Sequence, residues 1–192
     1  MKRVLMFLMI TMLALPGISM AKLKAPDVLD TEKIMTDESL SKYKTIGIRP
    51  FSLDKVDYDN VDDEEMTKMK RFQKECQEKL AKAIKNDLED HNIKAIILND
   101  DSKGKADMII DGKITKINLG SAVGRMMWGF GAGQAGLSVE GRLIDAKTGE
   151  DLANFEHENG SGLGNGEKWT LVLHEAQDLG EKISEFVRKL SK

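Results

Sequence analysis

The amino-acid sequence predicts one α/β domain of the α+β type, in which a mainly antiparallel sheet of four or five strands packs against two helices. Three observations support this prediction. The length of 192 residues is that of a single domain of ordinary size. Two long segments carry apolar residues spaced by three and four, the pattern of helices packed on a core. Before and between them lie short segments of alternating apolar and polar residues, the pattern of strands.

The composition excludes several classes of protein. The chain has 29 Lys and Arg residues against 32 Asp and Glu residues, a net charge of −3, and 41% hydrophobic residues. It can therefore bury a core, and it lacks the basic surplus expected of a protein that binds nucleic acid or an anionic membrane. Its single cysteine excludes an intramolecular disulfide, a four-thiolate zinc site and an iron–sulfur cluster.

Residues 1–21 have the three parts of a secretory signal peptide. Two basic residues open the segment, Val4 to Leu15 form an apolar run too short to span a bilayer, and Ser19 and Ala21 supply a small-residue cleavage site. We expect cleavage after Ala21 and export to the periplasm, with no transmembrane segment in the mature chain. No cysteine directly follows the apolar run, so the acceptor expected for bacterial lipid attachment is absent there.

The first half of the mature chain is predicted to hold an extended segment, a strand and a helix. Residues 22–42 have no clear period and are predicted to lead into a domain that covers residues 43–192. Alternation between Lys44 and Phe51 predicts a strand. An acidic connection over residues 52–65 precedes a helix that ends near Asp90. The apolar stripe of this helix comprises Met66, Met69, Phe72, Cys76, Leu80, Ala83 or Ile84, and Leu88.

The second half is predicted to add strands and a final helix. Residues Ile93–Leu98 and Ala106–Leu119 are predicted strands, and a change of parity near Lys116 indicates a β-bulge. A hairpin follows, with one strand from Leu137 to Leu143 and a return strand from Leu152 to His157. The apolar stripe of the final helix comprises Val172, Ala176, Leu179, Ile183, Phe186 and Leu190.

Four segments, taken in order, carry a resemblance to a known family. They are Lys44–Phe51, Ala106–Gly112, the glycine-rich segment that follows, and Leu143–Leu152. Together they resemble the domain of unknown function DUF4410 over residues 40–190. The resemblance implies a bacterial envelope protein, in many cases a lipoprotein, with no established activity and no catalytic residues. This chain departs from the lipoproteins in lacking the lipid-attachment cysteine.

His174, Glu175 and Asp178 begin like the helix motif of zinc proteases, although the motif ends here in Asp. His174 and Asp178 lie one helical turn apart, so both could ligate one metal ion with Glu175 beside it. A third ligand would have to be His157 or His91, and the spacing indicates neither. The apolar stripe points elsewhere, so these residues are predicted to lie on a solvated helix face. We therefore expect no catalytic, cofactor or metal site.

Other motifs lack the neighbouring residues or elements that their functions require. The glycines from Gly160 to Gly166 are not followed by the Gly-Lys-Ser/Thr of a phosphate-binding loop. Residues Gly131–Gly136 match a dinucleotide-binding fingerprint, but a strand follows where a helix is needed. The acidic run Asp54–Glu65 does not place ligands at EF-hand positions. Cys76 falls on the apolar stripe of the first helix, so it is predicted to be buried and unreactive.

The segment Gly120–Gly136 is the main candidate for a functional loop, because it is long for a compact domain and holds six glycines. The candidate partner-docking residues are Arg125, Met126, Met127, Trp128 and Phe130. In the alternative interpretation, Trp128 and Phe130 fold back onto the sheet of their own domain.

The sequence therefore favours an exported, non-enzymatic envelope protein that acts as a binding or assembly module. Its expected partner is an envelope protein or a second copy of the chain, with no nucleic acid and no cofactor. Two alternatives stay open: a periplasmic metal-dependent hydrolase that uses His174, Glu175 and Asp178, and a subunit of an oligomeric envelope channel.

Overall fold

The structure is a computed structural model that describes residues 23–99, 105–121, 134–161 and 167–192. Within these ranges the chain forms seven strands, two long helices and a short 3₁₀ turn at Leu40–Lys42. The strands are β1 (Thr31–Ile34), β2 (Thr45–Ile48), β3 (Asp57–Asp59), β4 (Lys94–Ile97), β5 (Met108–Asn118), β6 (Ala135–Asp145) and β7 (Asp151–Ser161). The helices are α1 (Asp63–Asp90) and α2 (Lys168–Leu190).

All seven strands belong to one mixed sheet. Six of them follow the order β1-β7-β6-β5-β2-β4, and β3 pairs with β5 outside this order. The strands β5, β6, β7 and β1 run antiparallel in succession. In contrast, β2 is parallel to both β4 and β5, and β3 is a further parallel neighbour of β5. The α+β class with two helices is confirmed, but the sheet is mixed and has seven strands, where the sequence predicted a mainly antiparallel sheet of four or five.

The two strands that the sequence did not predict are short and polar. β1 has the sequence TEKI and lies inside the extended lead-in, where it pairs with β7 so that Thr31 is opposite Glu156. β3 has the sequence DYD and lies inside the acidic connection. It pairs with the end of β5, where Lys116 Nζ lies 2.7 Å from Asp59 Oδ2. Neither segment has enough apolar residues to show an alternation, and its pairing depends on distant residues.

Both helices cover the same face of the sheet. α1 begins in a capping box, in which the Asp62 side chain accepts a hydrogen bond from the Glu65 backbone N–H and the Glu65 side chain accepts one from that of Asp62. α2 packs on β6, β7 and α1, while α1 packs on β4 and β2. At the helix crossing, a Cβ on Gly180 would lie 2.5 Å from the Cβ of Ala83, so the close approach requires glycine.

The predicted core is largely correct. Every position of the α2 stripe is buried, and on α1 burial runs from Met69 to Leu88. Met66 is the exception at 47% exposure, because the first turn of α1 holds the capping carboxylates and the buried side of the helix starts at Met69. In the part of the chain that the structure describes, neither helix has the length and apolar character needed to cross a bilayer.

The central hairpins follow the sequence prediction closely. The register between β5 and β6 shifts between Ile114 and Lys116, which confirms the bulge. At the turn after β6, the Asp145 side chain accepts a hydrogen bond from the backbone N–H of Thr148, and Gly149 has a φ of +77°. A φ in this region favours glycine, so the sequence specifies this turn locally.

β7 is longer than predicted. Asn159 and Gly160 were assigned to a glycine-rich loop, but they pair with Leu137 and Gly136 of β6. The antiparallel ladder continues to Ser161 because β6 offers a partner at each position, whatever the local glycine content. This extension places Asn159 on the face of the sheet that lies under α2.

Candidate functional site

Within the described part of the chain, the helices cover one face of the sheet and leave the other face, which we call the open face, uncovered. On β5, Ile110 and Ile114 are buried under the helices, whereas the intervening Asp111 and Lys113 lie on the open face. This alternation follows from the two-residue period of a strand. The open face therefore presents side chains on a rigid sheet. Its polar composition contrasts with the apolar face on the other side.

A row of alternating charges crosses the open face. Asp111 Oδ1 lies 3.0 Å from Nη1 of Arg49, and Asp111 Oδ2 lies 3.0 Å from Nη2 of Arg142. Arg142 Nη1 in turn lies 3.3 Å from Asp151 Oδ1. The hydrogen bond that Arg142 donates to Asp111 is the main cause of the raised pKa of Arg142. We call these four residues the charged row. A shallow depression of about 600 Å³ lies beside it.

Next to the charged row, two exposed charged residues lack an ion-pair partner in the part of the chain that the structure describes. Lys113 pairs with Glu140 at 2.5 Å, but Lys33 and Glu156 form no ion pair among the described residues. Glu156 also lies directly opposite Glu140 on β6, and like charges at such positions repel each other. The open face thus has its own charges only partly neutralised.

Beneath α2, a chain of polar side chains runs through the interior. Lys182 Nζ donates hydrogen bonds to His157 Nε2 at 3.0 Å and to Asn159 Oδ1 at 2.8 Å. Asn159 Nδ2 donates to Glu175 Oε2 at 2.7 Å. At the other end, His157 Nδ1 lies 3.0 Å from Asp30 Oδ2. We call these five residues the polar chain. It connects the segment before β1 to β7 and α2.

The polar chain affects the protonation of two of its members. The Lys182 ammonium can only donate, so it donates to His157 Nε2. His157 Nδ1 accepts a hydrogen bond of 3.2 Å from the backbone N–H of Asp30 and lies 3.0 Å from Asp30 Oδ2. Burial, together with the charge of Lys182, lowers the pKa of His157 despite the opposing effect of Asp30. Burial raises the pKa of Glu175, and the charge of Asp178 raises it further. The interior thus favours the uncharged form of both groups.

The structure brings together the three residues of the zinc-protease-like motif. One ligand atom from each of His174, Glu175 and Asp178 lies within 4.8 Å of the other two. His174 and Asp178 are exposed or partly exposed as predicted, with Nδ1 and Oδ2 3.1 Å apart. Glu175 departs from the predicted solvated face, because it is only 3% exposed and points at Asn159.

The histidines considered as a third ligand lie elsewhere. His157 is bound to Lys182 and Asp30, and His91 caps α1 beside Asp87, with Nδ1 and Oδ2 3.6 Å apart. The other sequence candidates fall outside the described residues, namely the signal peptide 1–21 and the docking residues Arg125, Met126, Met127, Trp128 and Phe130. Cys76 is buried as predicted, and burial raises the pKa of its thiol to about 12.

Comparison with protein families agrees with the element order described above. The model of the family described as Domain of unknown function (DUF4410) matches residues 46–164, which is more than half of the chain. The chain belongs to the DUF4410 family. The match confirms the resemblance drawn from the four segments between Lys44 and Leu152. The comparison with curated proteins found no match.

Solved structures of low sequence identity are similar to this DUF4410 chain. The PelC dodecamer from Paraburkholderia phytofirmans is 10% identical, with a TM-score of 0.49 over 79% of this chain and 97% of that chain. Protein XCC0632 from Xanthomonas campestris, of family DUF330, is 9% identical, with a TM-score of 0.43 over 74% of this chain and 81% of that chain. At TM-scores below 0.5 these similarities carry no functional argument.

Sequence reasoning missed the polar chain as a unit. Asn159 continues the inward positions Phe155 and His157 at the period of a strand, so the alternation of β7 was the available signal. The burial of Glu175 had no such signal, because its helix neighbours His174 and Asp178 are exposed to solvent. Only the partner on β7 shows why a carboxylate is buried at this position.

Proposed function

We propose that this DUF4410 protein is an exported, non-enzymatic assembly module of the bacterial envelope, and that its open face binds a second copy of the chain. The observation that carries the proposal is the pair of unneutralised, exposed charges Lys33 and Glu156 beside the charged row. A surface that carries unpaired charges of both signs is suited to bind a surface of complementary charge.

Charge complementarity favours a second copy as the occupant. Lys33 lies opposite Asn154 and Thr31 lies opposite Glu156 in the pairing of β1 with β7, so Lys33 and Glu156 stand in adjacent cross-strand pairs on the same face. In a face-to-face dimer about a twofold axis, Lys33 of each copy faces Glu156 of the other. Such an interface satisfies both charges with one kind of contact.

Support for export comes from residues 1–21, whose pattern is that of a signal peptide. The docking residues of the glycine-rich segment, Trp128 above all, form a second candidate surface for the same assembly role. Their aromatic and Met side chains would supply large contact areas to a partner.

The mass of the purified chain in solution tests the proposal. We expect a dimer whose dissociation constant rises with ionic strength, because its contacts are largely between exposed charges. Lys33→Glu or Glu156→Lys places like charges opposite each other and should weaken the dimer at least tenfold. The double variant restores opposite charges and should recover the wild-type mass.

The matched control is Lys70→Glu, which reverses an exposed charge on α1, on the other side of the sheet. It should leave the dimer unchanged. A monomer at all concentrations, or single reversals without effect on the mass, would overturn the proposed interface. Failure of the double variant to restore the dimer would do so as well.

A further inference from the structure

A groove between α2 and the end of β7 has an excess of negative charge. Its volume is about 590 Å³. The carboxylates that line it are Asp87, Glu175, Asp178, Glu181 and Glu185. Asp87 is neutralised by Arg188 at 3.2 Å, and Glu185 by Lys189 at 2.9 Å. The other three carboxylates remain, with Lys182 as the nearby cation of the lining.

Glu175 is the carboxylate that most requires a cation. It is 3% exposed and forms no ion pair among the described residues, although the charges of His174 and Lys182 act on it from a greater distance. Its hydrogen-bond partner is the neutral amide of Asn159, while the Lys182 ammonium is directed at the oxygen of that amide and at His157. A buried carboxylate without a counter-charge is unfavourable, and a bound cation removes this cost.

The side chain of Glu175 is also held in place. Lys182 donates to Asn159 Oδ1, which orients the amide so that Nδ2 must donate to Glu175. Lys182 is held in turn by His157, which is bonded to Asp30. Fixed outer hydrogen bonds of this kind orient the ligands of metal sites. The polar chain therefore supplies a positioned carboxylate at the floor of the groove.

We propose that His174, Glu175 and Asp178 together bind one Zn²⁺ ion. Their ligand atoms already lie within 4.8 Å of one another, and the exposed side chains of His174 and Asp178 can rotate to close the remaining distance. One imidazole nitrogen with two carboxylates is a donor set that suits zinc better than calcium or magnesium. Three protein ligands leave a coordination position for water. The sequence argued against a metal for want of a third ligand, and the buried Glu175 supplies it.

This site is independent of the proposed dimer, because its residues lie on α2, on the helix side of the sheet, whereas the dimer uses the opposite face. Titration of the purified full chain with Zn²⁺ alone, followed by calorimetry, tests it. We expect one ion per chain. Substitution of Co²⁺ should give visible absorption bands that report a site with nitrogen and oxygen ligands.

The variants His174→Gln, Glu175→Gln and Asp178→Asn should each weaken Zn²⁺ binding at least tenfold. The matched control is His91→Gln, because the exposed His91 and the partly buried Asp87 form a second His–Asp pair one turn apart that lacks a buried third carboxylate. It should leave the affinity unchanged. Three results would overturn the proposal. The wild-type chain could fail to bind Zn²⁺, Glu175→Gln could bind it as tightly as the wild type, or His91→Gln could abolish binding. Circular dichroism of every variant checks that the fold is kept.

Discussion

Gly112 of β5 and Gly141 of β6 lie directly opposite each other, and each is covered by a phenylalanine ring on the helix side of the sheet. Phe51 lies over Gly112, and Phe155 lies over Gly141 and makes an edge-to-face contact with Phe186 of α2, with centroids 5.7 Å apart. The two missing side chains make room for two rings, so this glycine pair decides how closely α2 can pack on the sheet.

We predict that Gly141→Ala destabilises the fold by about 1–3 kcal/mol, because the added methyl group overlaps the Phe155 ring. The free energy of unfolding from urea denaturation gives the measurement. The double variant Gly141→Ala with Phe155→Leu should recover part of the loss, because the smaller side chain gives way to the methyl group. Equal losses in the single and double variants would contradict this account.

The lowered pKa of His157 predicts a dependence of stability on pH. Since its pKa in the folded chain lies below the ordinary value of 6.5, the unfolded chain binds more protons in the range between the two values. Stability is therefore fully present above about pH 6.5 and falls as the pH decreases below it. The groups that face His157 are Lys182, Asp30 and Asn159.

The variant His157→Gln separates this effect from other titrations, because glutamine does not titrate in this range and can still accept a hydrogen bond from Lys182. Its melting temperature should fall less between pH 7.5 and 5.5 than that of the wild type. The control His91→Gln, which removes an exposed histidine, should follow the wild-type curve. Identical pH curves for His157→Gln and the wild type would refute the assignment.

We predict that the thiol of Cys76 does not react in the native chain. It is fully buried, and its pKa of about 12 leaves almost no thiolate at pH 8. A thiol reagent such as dithionitrobenzoate should detect no thiol in native protein and one per chain in urea. A rapid native reaction would show that α1 opens readily at this position.

For the docking residues, we predict that Trp128→Ala combined with Phe130→Ala changes the free energy of unfolding by less than about 1 kcal/mol, as surface changes do. The same double variant should reduce self-association or capture of a partner. A cost of about 3–5 kcal/mol, typical of a truncated buried aromatic, would place the two residues in the core instead. Urea denaturation and mass in solution give the two readouts.

The elements that the sequence predicted are those specified by local patterns. The α2 stripe from Val172 to Leu190 and the turn at Gly149 need no knowledge of distant residues. The missed features are pairings over long sequence distances. β3 exists because its three polar residues meet the end of β5 beyond the bulge, and no local period encodes that contact. The parallel direction of β2 depends in the same way on where α1 returns the chain.

The candidate site was likewise predicted only where its residues are close together in the sequence. The i,i+4 spacing of His174 and Asp178 was visible in the sequence, because a helix brings such positions together. The burial of Glu175 was not visible, since it depends on Asn159, which lies in β7 beyond His157, where the predicted strand ended four residues too early. A polar residue was predicted to be solvated because its partner was assigned to a loop.

The pairing of β1 with β7 joins segments that lie far apart in the chain. During synthesis, β2 can pair with β4 only after the α1 segment has been made, and β1 can pair with β7 only after the chain has been made through Ser161. Closing such long loops is entropically costly, so sheets of this kind form slowly. We therefore expect the newly made chain to stay unfolded until its last third emerges, which is the state that passage through a membrane translocation channel requires.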